Sequence, residues 1–258
     1  MKKFKVLVLT VVAVLALASC GTTQTVPLTG RTHRISVSDE QVLSLSNQEY
    51  TKYMASAKKS TNAANTAMVQ RVGKRLANAV ELYLKQNGFE ADVKNYSWEF
   101  NLVQDKSANA FCMPGGKIVV YEGLLPYTQN ETGLAIVLGH EIAHAVAKHS
   151  AEQLTKQQNQ QTGTSILGTV LNQTVGNGVG NVASAVAGQY FSFRNLKYSR
   201  DNETEADYMG LIFAAMQKEM PTALKYYKPQ TTYKVGSTSK TSTTKKTSRK
   251  KKTTTRRK

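Results

Sequence analysis

Cysteine is nearly absent from this 258-residue chain, which has only two, Cys20 and Cys112. A disulfide framework and a cysteine-rich zinc site are therefore excluded, and a hydrophobic core has to hold the fold. Histidine is almost as scarce, with four residues: His33, His140, His144 and His149. Any histidine-based site must draw on that small set. No apolar run approaches the roughly 20 residues of a membrane-spanning helix. The longest, Val6 to Ala18, follows Lys2, Lys3 and Lys5 and has the order of a charged region and a short apolar region of an export signal. Acidic residues are missing from 221–258, where 13 basic residues lie. The formal net charge of +17 thus belongs mainly to a tail, since 21–220 holds 18 basic and all 17 acidic residues.

The apolar run ends in Leu17-Ala18-Ser19-Cys20, small residues just before a cysteine. That order resembles a bacterial lipobox, with residues 1–19 removed and Cys20 lipidated. More than one acyl chain there makes a stable membrane anchor. Residues 20–46, with Pro27, Gly30 and many Ser and Thr, are expected to form a tether and extended lead-in. A folded domain is expected over 47–230, and a basic Ser/Thr/Lys segment without core-forming residues over 231–258.

Within the domain, Met68, Val72, Leu76, Val80 and Leu84 recur at helical spacing, and Gly88 ends the pattern. Tyr96 to Val103 and Lys117 to Tyr121 read as strands, with a strand-and-turn signal over 108–116. One long helix is expected from Thr128 to about Lys156, and another over 199–219. Residues 157–189, rich in Gln, Asn, Gly and Thr, read as a loop able to cover a cleft. The expected class is α+β, mainly helical, with a small sheet beside the helix of 128–156.

That helix carries GHEIAHAVAKH at 139–149. In the HExxH pattern, His140 and His144 project from one face, one turn apart, and two imidazoles there can hold one zinc ion. Glu141 stands about 100° round the helix, placed to act on a water rather than to ligate. With zinc lowering that water's pKa, such a carboxylate takes its proton as it attacks a peptide carbonyl. Flanking residues Ile136, Val137, Leu138, Ile142 and Val146 are apolar, and Gly139 permits close approach of another backbone.

A third ligand is needed. The spacing of a metzincin fails, because Ala147 and Ser150 stand where glycine and histidine belong. His149 lies about 180° from His140 on a continuous helix and is expected at the surface. His33 is taken as incidental. Residues 199–210 read SRDNETEADYMG, where Glu203 and Asp207 share a helix face. One can bind zinc while the other orients a histidine. Glu205 points elsewhere and is expected as a solvated surface charge.

With those stretches in hand, the chain resembles the HtpX/CAAX-prenyl-protease family of gluzincin metallopeptidases, peptidase family forty-eight. The likeness is to its exported lipoprotein and BepA-like periplasmic members. It rests on PLTGRTHRISVS (27–38), NAFCMPGGKIVVYEGLL (109–125), GHEIAHAVAKHS (139–150) and SRDNETEADYMG (199–210). It implies one zinc per chain on His140, His144 and Glu203, with Glu141 as general base and Asp207 behind a ligand. It also implies that a substrate polypeptide adds as a strand beside Asn109, Ala110, Phe111, Gly115 and Gly116. The family acts on membrane-associated or misassembled proteins. A late His-Pro segment followed by an arginine, usual in the family, is missing, as no histidine follows His149. Arg200 is the available substitute.

The expected function is a membrane-anchored zinc endopeptidase of the bacterial envelope. The competing expectation is a zinc-binding but latent or scaffold-like lipoprotein. A third places function in the basic tail, where Ser248-Arg249-Lys250-Lys251-Lys252 can meet an anionic surface. Export argues against nucleic acid as a partner. Gly21 after Cys20 provides no aspartate retention signal, which favours the outer membrane facing the periplasm.

Overall fold

Two short Thr-rich strands, β1 (Thr22–Thr25) and β2 (Thr32–Ile35), pair antiparallel at the N-terminal side of a computed structural model that describes residues 21–160 and 192–226. The segment 1–19 expected as an export signal, Cys20, most of the 157–189 stretch expected as a loop, and the 231–258 stretch expected as a basic tail lie outside the described residues. Residues 20–46 are expected as a tether, but 22–46 are part of the folded body. Val26 and Leu28, in the loop joining β1 to β2, enter the main core at 1 % and 5 % exposure. The apolar side chains of VPL outweigh the Ser/Thr composition around them, because they remove area from water.

Ser38 and Gln41 form a capping box at the start of helix α1 (Asp39–Ser56), and Asn62 caps α2 (Ala63–Gln86). The helical spacing noted above forms the buried stripe of α2, including Val72, Leu76, Val80 and Leu84. Gly88 takes φ 83° just past its end, a conformation glycine adopts without a Cβ clash. A short turn of helix, α3 (Glu90–Val93), leads to the sheet.

The sheet has the order β3-β5-β4. β3 (Glu99–Val103) runs parallel to β5 (Lys117–Tyr121), and β4 (Ala110–Met113) runs antiparallel to β5. Period-two alternation divides its side chains between two cores. Phe100, Leu102, Ala110, Cys112, Ile118 and Val120 face the helices, while Val103, Phe111, Met113, Val119 and Tyr121 join Ile35, Val42 and Tyr50 on the other side.

After α4 (Leu125–Thr128), helix α5 (Glu131–Val146) packs against β4 and carries the HExxH motif. The expected single helix to Lys156 is broken. Ala147 leaves the helix, Lys148 takes φ 52°, and helix α6 resumes over 149–160. Neither residue is a breaker by type. The break is held from outside, because Lys148 Nζ reaches Asp39 at 2.9 Å and Asp92 at 3.1 Å. Helix α7 (Arg200–Tyr226) then crosses α5. Its start is fixed by Ser199 and Asn202, since the Asn202 amide donates to Ser199 Oγ. Among the described residues no helix is long and apolar enough to cross a membrane.

Candidate metal centre

The crossing of α5 and α7 is made by two glycines. A Cβ on Gly139 would stand 2.5 Å from the Gly210 carbonyl oxygen, and one on Gly210 would stand 2.6 Å from the His140 nitrogen. Only glycine at both positions allows this backbone approach. It brings the first turns of α7 against the two motif histidines.

Their Nε2 atoms lie 3.1 Å apart. One Glu203 oxygen is 3.5 Å from His140 Nε2 and the other is 3.6 Å from His144 Nε2. The three donors all lie within 4.8 Å of one another. Bonds of about 2.0–2.1 Å in tetrahedral geometry separate ligand atoms by about 3.3 Å, so this donor set fits one zinc ion. The Glu203 side chain is 47 % exposed, so the site opens to solvent on its side.

Asp207, one turn on, accepts from His140 Nδ1 at 2.8 Å. A carboxylate only accepts, so the proton of that ring sits on Nδ1 and turns Nε2 toward the other donors. The Asp207 side chain is itself 71 % exposed. Arg200 opens α7 as an exposed residue.

Glu141 points from the same helix toward β4, where the Cys112 backbone N–H bonds its carboxylate. Burial first, and the neighbouring Glu203 charge second, push the Glu141 carboxyl up to about 8, against that hydrogen bond. Of the candidate strand residues, Ala110 and Phe111 lie in β4, a terminal strand of the sheet, and Asn109 immediately precedes it. Gly115 and Gly116 do not lie along that edge. They form the β4–β5 turn at φ 86° and 81°, and their carbonyls accept from the Ser97 and Glu99 amides.

Three expectations about titratable residues are overturned. His149 is 1 % exposed, not on the surface, because the break at Lys148 swings it back behind His144. Its Nδ1 is 2.8 Å from His144 Nδ1. Glu205 points away from Glu203 as its spacing requires, yet it is fully buried, 2.9 Å from His149 Nε2. His33 is not incidental either. It is 7 % exposed, with Nδ1 3.2 Å from Glu152. Tyr198, missed in the sequence, stacks on the His144 ring at 4.1 Å, and its hydroxyl is 2.9 Å from Ser150 Oγ. No spacing rule marks it, since it lies outside any periodic element.

Sequence comparison places these features in a known group. Peptidase family M48 matches residues 63–243, which include both arms of the donor set. The mitochondrial metalloendopeptidase OMA1 of Schizosaccharomyces pombe is 33 % identical over 138 residues, 52 % of this chain and 37 % of that protein. The Arabidopsis thaliana protein of the same name is 40 % identical over 131 residues, 51 % of this chain and 25 % of its own length. The beta-barrel assembly-enhancing protease of Yersinia pestis is 44 % identical over 52 residues, 20 % of this chain and 11 % of that protein. The match therefore spans less than two fifths of each of these relatives. With a family match covering most of the chain, and the HExxH helix folded against an acidic second helix, this chain belongs to peptidase family M48.

Proposed function

We propose that the chain is a zinc-dependent endopeptidase that hydrolyses peptide bonds of exported or membrane-associated proteins, including misfolded ones. The observation that carries this reading is the meeting of His140, His144 and Glu203 within 4.8 Å, with the Glu141 carboxylate beside them. Zinc held by those three residues supplies Lewis acidity, lowering the pKa of a water and polarising a peptide carbonyl.

Glu141 is the general base. The positive charge of a zinc ion held beside it would favour its ionised form, which accepts the proton of the attacking water and passes it on to the leaving amide nitrogen. The Cys112 N–H fixes its direction. Asp207 orients His140. The substrate lies extended along the outer edge of β4. Because the Tyr121 amide donates to the Asn109 carbonyl, residues 109, 111 and 113 turn their backbone groups toward β5, and Ala110 and Cys112 turn theirs outward. Main-chain pairing at Ala110 would hold a peptide whatever its side chains, which suits an enzyme acting on unfolded segments.

The same reading anchors the mature protein by lipidated Cys20 in a bacterial envelope, at the outer membrane facing the periplasm. The basic tail would touch anionic surfaces. Zinc content and casein cleavage, measured on the wild type beside Glu141→Gln, test the proposal. One zinc per chain in both, with cleavage reduced roughly 100- to 10,000-fold in the variant, is expected. One zinc with no cleavage in either would transfer the reading to a latent scaffold.

A further inference from the structure

Behind His144 runs a line of buried polar groups that the proposed reaction does not use. His144 Nδ1 meets His149 Nδ1 at 2.8 Å, and His149 Nε2 meets Glu205 Oε2 at 2.9 Å. Glu205 in turn accepts from Thr29 Oγ1 at 2.6 Å and from Arg31 Nε at 2.7 Å. Arg31 also reaches Glu152 at 3.0 Å, the carboxylate that holds His33. Thr29 and Arg31 belong to the β1–β2 loop, which precedes the family match at 63–243.

We propose that His149 and Glu205 form a relay that fixes the metal-binding tautomer of His144, with the N-terminal hairpin loop holding its far end through Thr29 and Arg31. The inference rests on the zinc site proposed above and concerns positioning.

The proton positions follow from the hydrogen bonds. The Thr29 hydroxyl and the Arg31 guanidinium both donate to Glu205, which is therefore an accepting carboxylate, so the proton of a neutral His149 ring sits on Nε2 and points at it. His149 Nδ1 is then an acceptor, and His144 donates to it from Nδ1 at 2.8 Å. His144 Nε2 is left with the lone pair, facing His140 Nε2 and Glu203. The reverse arrangement would set a lone pair of His149 against a carboxylate at 2.9 Å in a dry interior, which is unfavourable.

The hairpin makes the relay rigid. Two donors from one short loop fix the Glu205 carboxylate, so the segment following Cys20 is structurally tied to a zinc ligand.

The test uses the full-length protein with 15N-histidine labelling, comparing wild type, His149→Phe and His149→Gln. In metal-free wild type, His144 is expected as a single tautomer protonated at Nδ1. In His149→Phe that tautomer preference is lost, and zinc dissociation constants from chelator competition rise by roughly 10- to 100-fold. A glutamine amide can accept from His144 and donate to Glu205, so His149→Gln is expected to restore both readouts in large part. Unchanged tautomer and zinc affinity in His149→Phe would overturn the relay, as would a His149→Gln variant no better than His149→Phe. If His149→Phe does not fold, Arg31→Met serves instead: a mixed His144 tautomer supports the relay, and an unchanged one overturns it. Wild-type protein that binds no zinc would overturn the proposed function, while the tautomer in metal-free protein still judges the relay.

Discussion

The two motif histidines are backed in opposite ways. His140 leans on Asp207, a single carboxylate that is 71 % exposed. His144 leans on His149, which leans on Glu205, and both of those side chains are 0 % exposed. Each arrangement ends in a carboxylate, and each turns Nε2 toward the other donors. They differ in what replaces a lost partner. Water can substitute for Asp207, but nothing can enter behind His149 without opening the core. The exposed support is therefore adjustable and the buried one is all-or-none.

The largest effect should come from the buried end. Glu205→Ala removes the acceptor shared by Thr29, Arg31 and His149, and breaking such a buried pair from one side costs about 3–5 kcal/mol. Denaturant unfolding of the metal-free protein measures it. Asp207→Ala on the exposed side should cost less than about 1 kcal/mol in the same assay. Equal losses at the two positions would dissolve the comparison.

Next in size is the crossing that serves both histidines at once. Gly210→Ala puts a methyl group 2.6 Å from the His140 nitrogen, so the helices must part. Overpacking of this kind costs about 1–3 kcal/mol, and Glu203 should retreat from both rings together. A weaker zinc affinity with the His144 tautomer intact would show that the crossing and the buried relay act separately.

Acid should sharpen the contrast further. His144 and His149 both have folded pKa values pushed below the ordinary 6.5, chiefly by burial. The unfolded chain then binds protons that the folded one refuses, so stability is fully present above pH 6.5 and falls as the pH drops below it. The slope approaches about 1.4 kcal/mol per pH unit for each histidine. Glu152 and Glu205 add a second loss below their ordinary 4.5. Burial acts against them, but hydrogen bonds and the Arg31 charge hold both below that value in the fold. Melting temperatures between pH 7.5 and 4 check this, and His149→Phe should show a shallower decline. The smallest expected change is Asp207→Asn, where zinc affinity drops at most about tenfold because an amide oxygen can still accept from His140.

The sequence makes one side of this comparison legible and hides the other. His140, Glu141 and His144 follow from helix geometry, and the Glu203–Asp207 pair from spacing on a second helix. β5 is found at Lys117–Tyr121, as the alternation predicts. His149 is misplaced because a continuous helix is assumed. The break depends on Lys148, a residue with no breaking tendency of its own, held at φ 52° by Asp39 and Asp92 from remote parts of the chain. Glu205 is misread for a related reason. Spacing tells which way it points but not that the β1–β2 loop covers that side. The hairpin is hidden by its composition, in which five threonines outnumber Val26, Leu28 and Ile35, the hydrophobic residues that bury. Local rules find the residues that share an element, and miss those that meet only through tertiary packing.

X-ray absorption at the zinc edge of the loaded full-length protein tests the central claim most directly. The predicted first shell contains two imidazole nitrogens and carboxylate oxygen at about 2.0–2.2 Å, with no sulfur. Glu203→Gln should change that shell, and His149→Gln should leave it alone. A third imidazole, or a sulfur ligand from Cys112, would contradict the account.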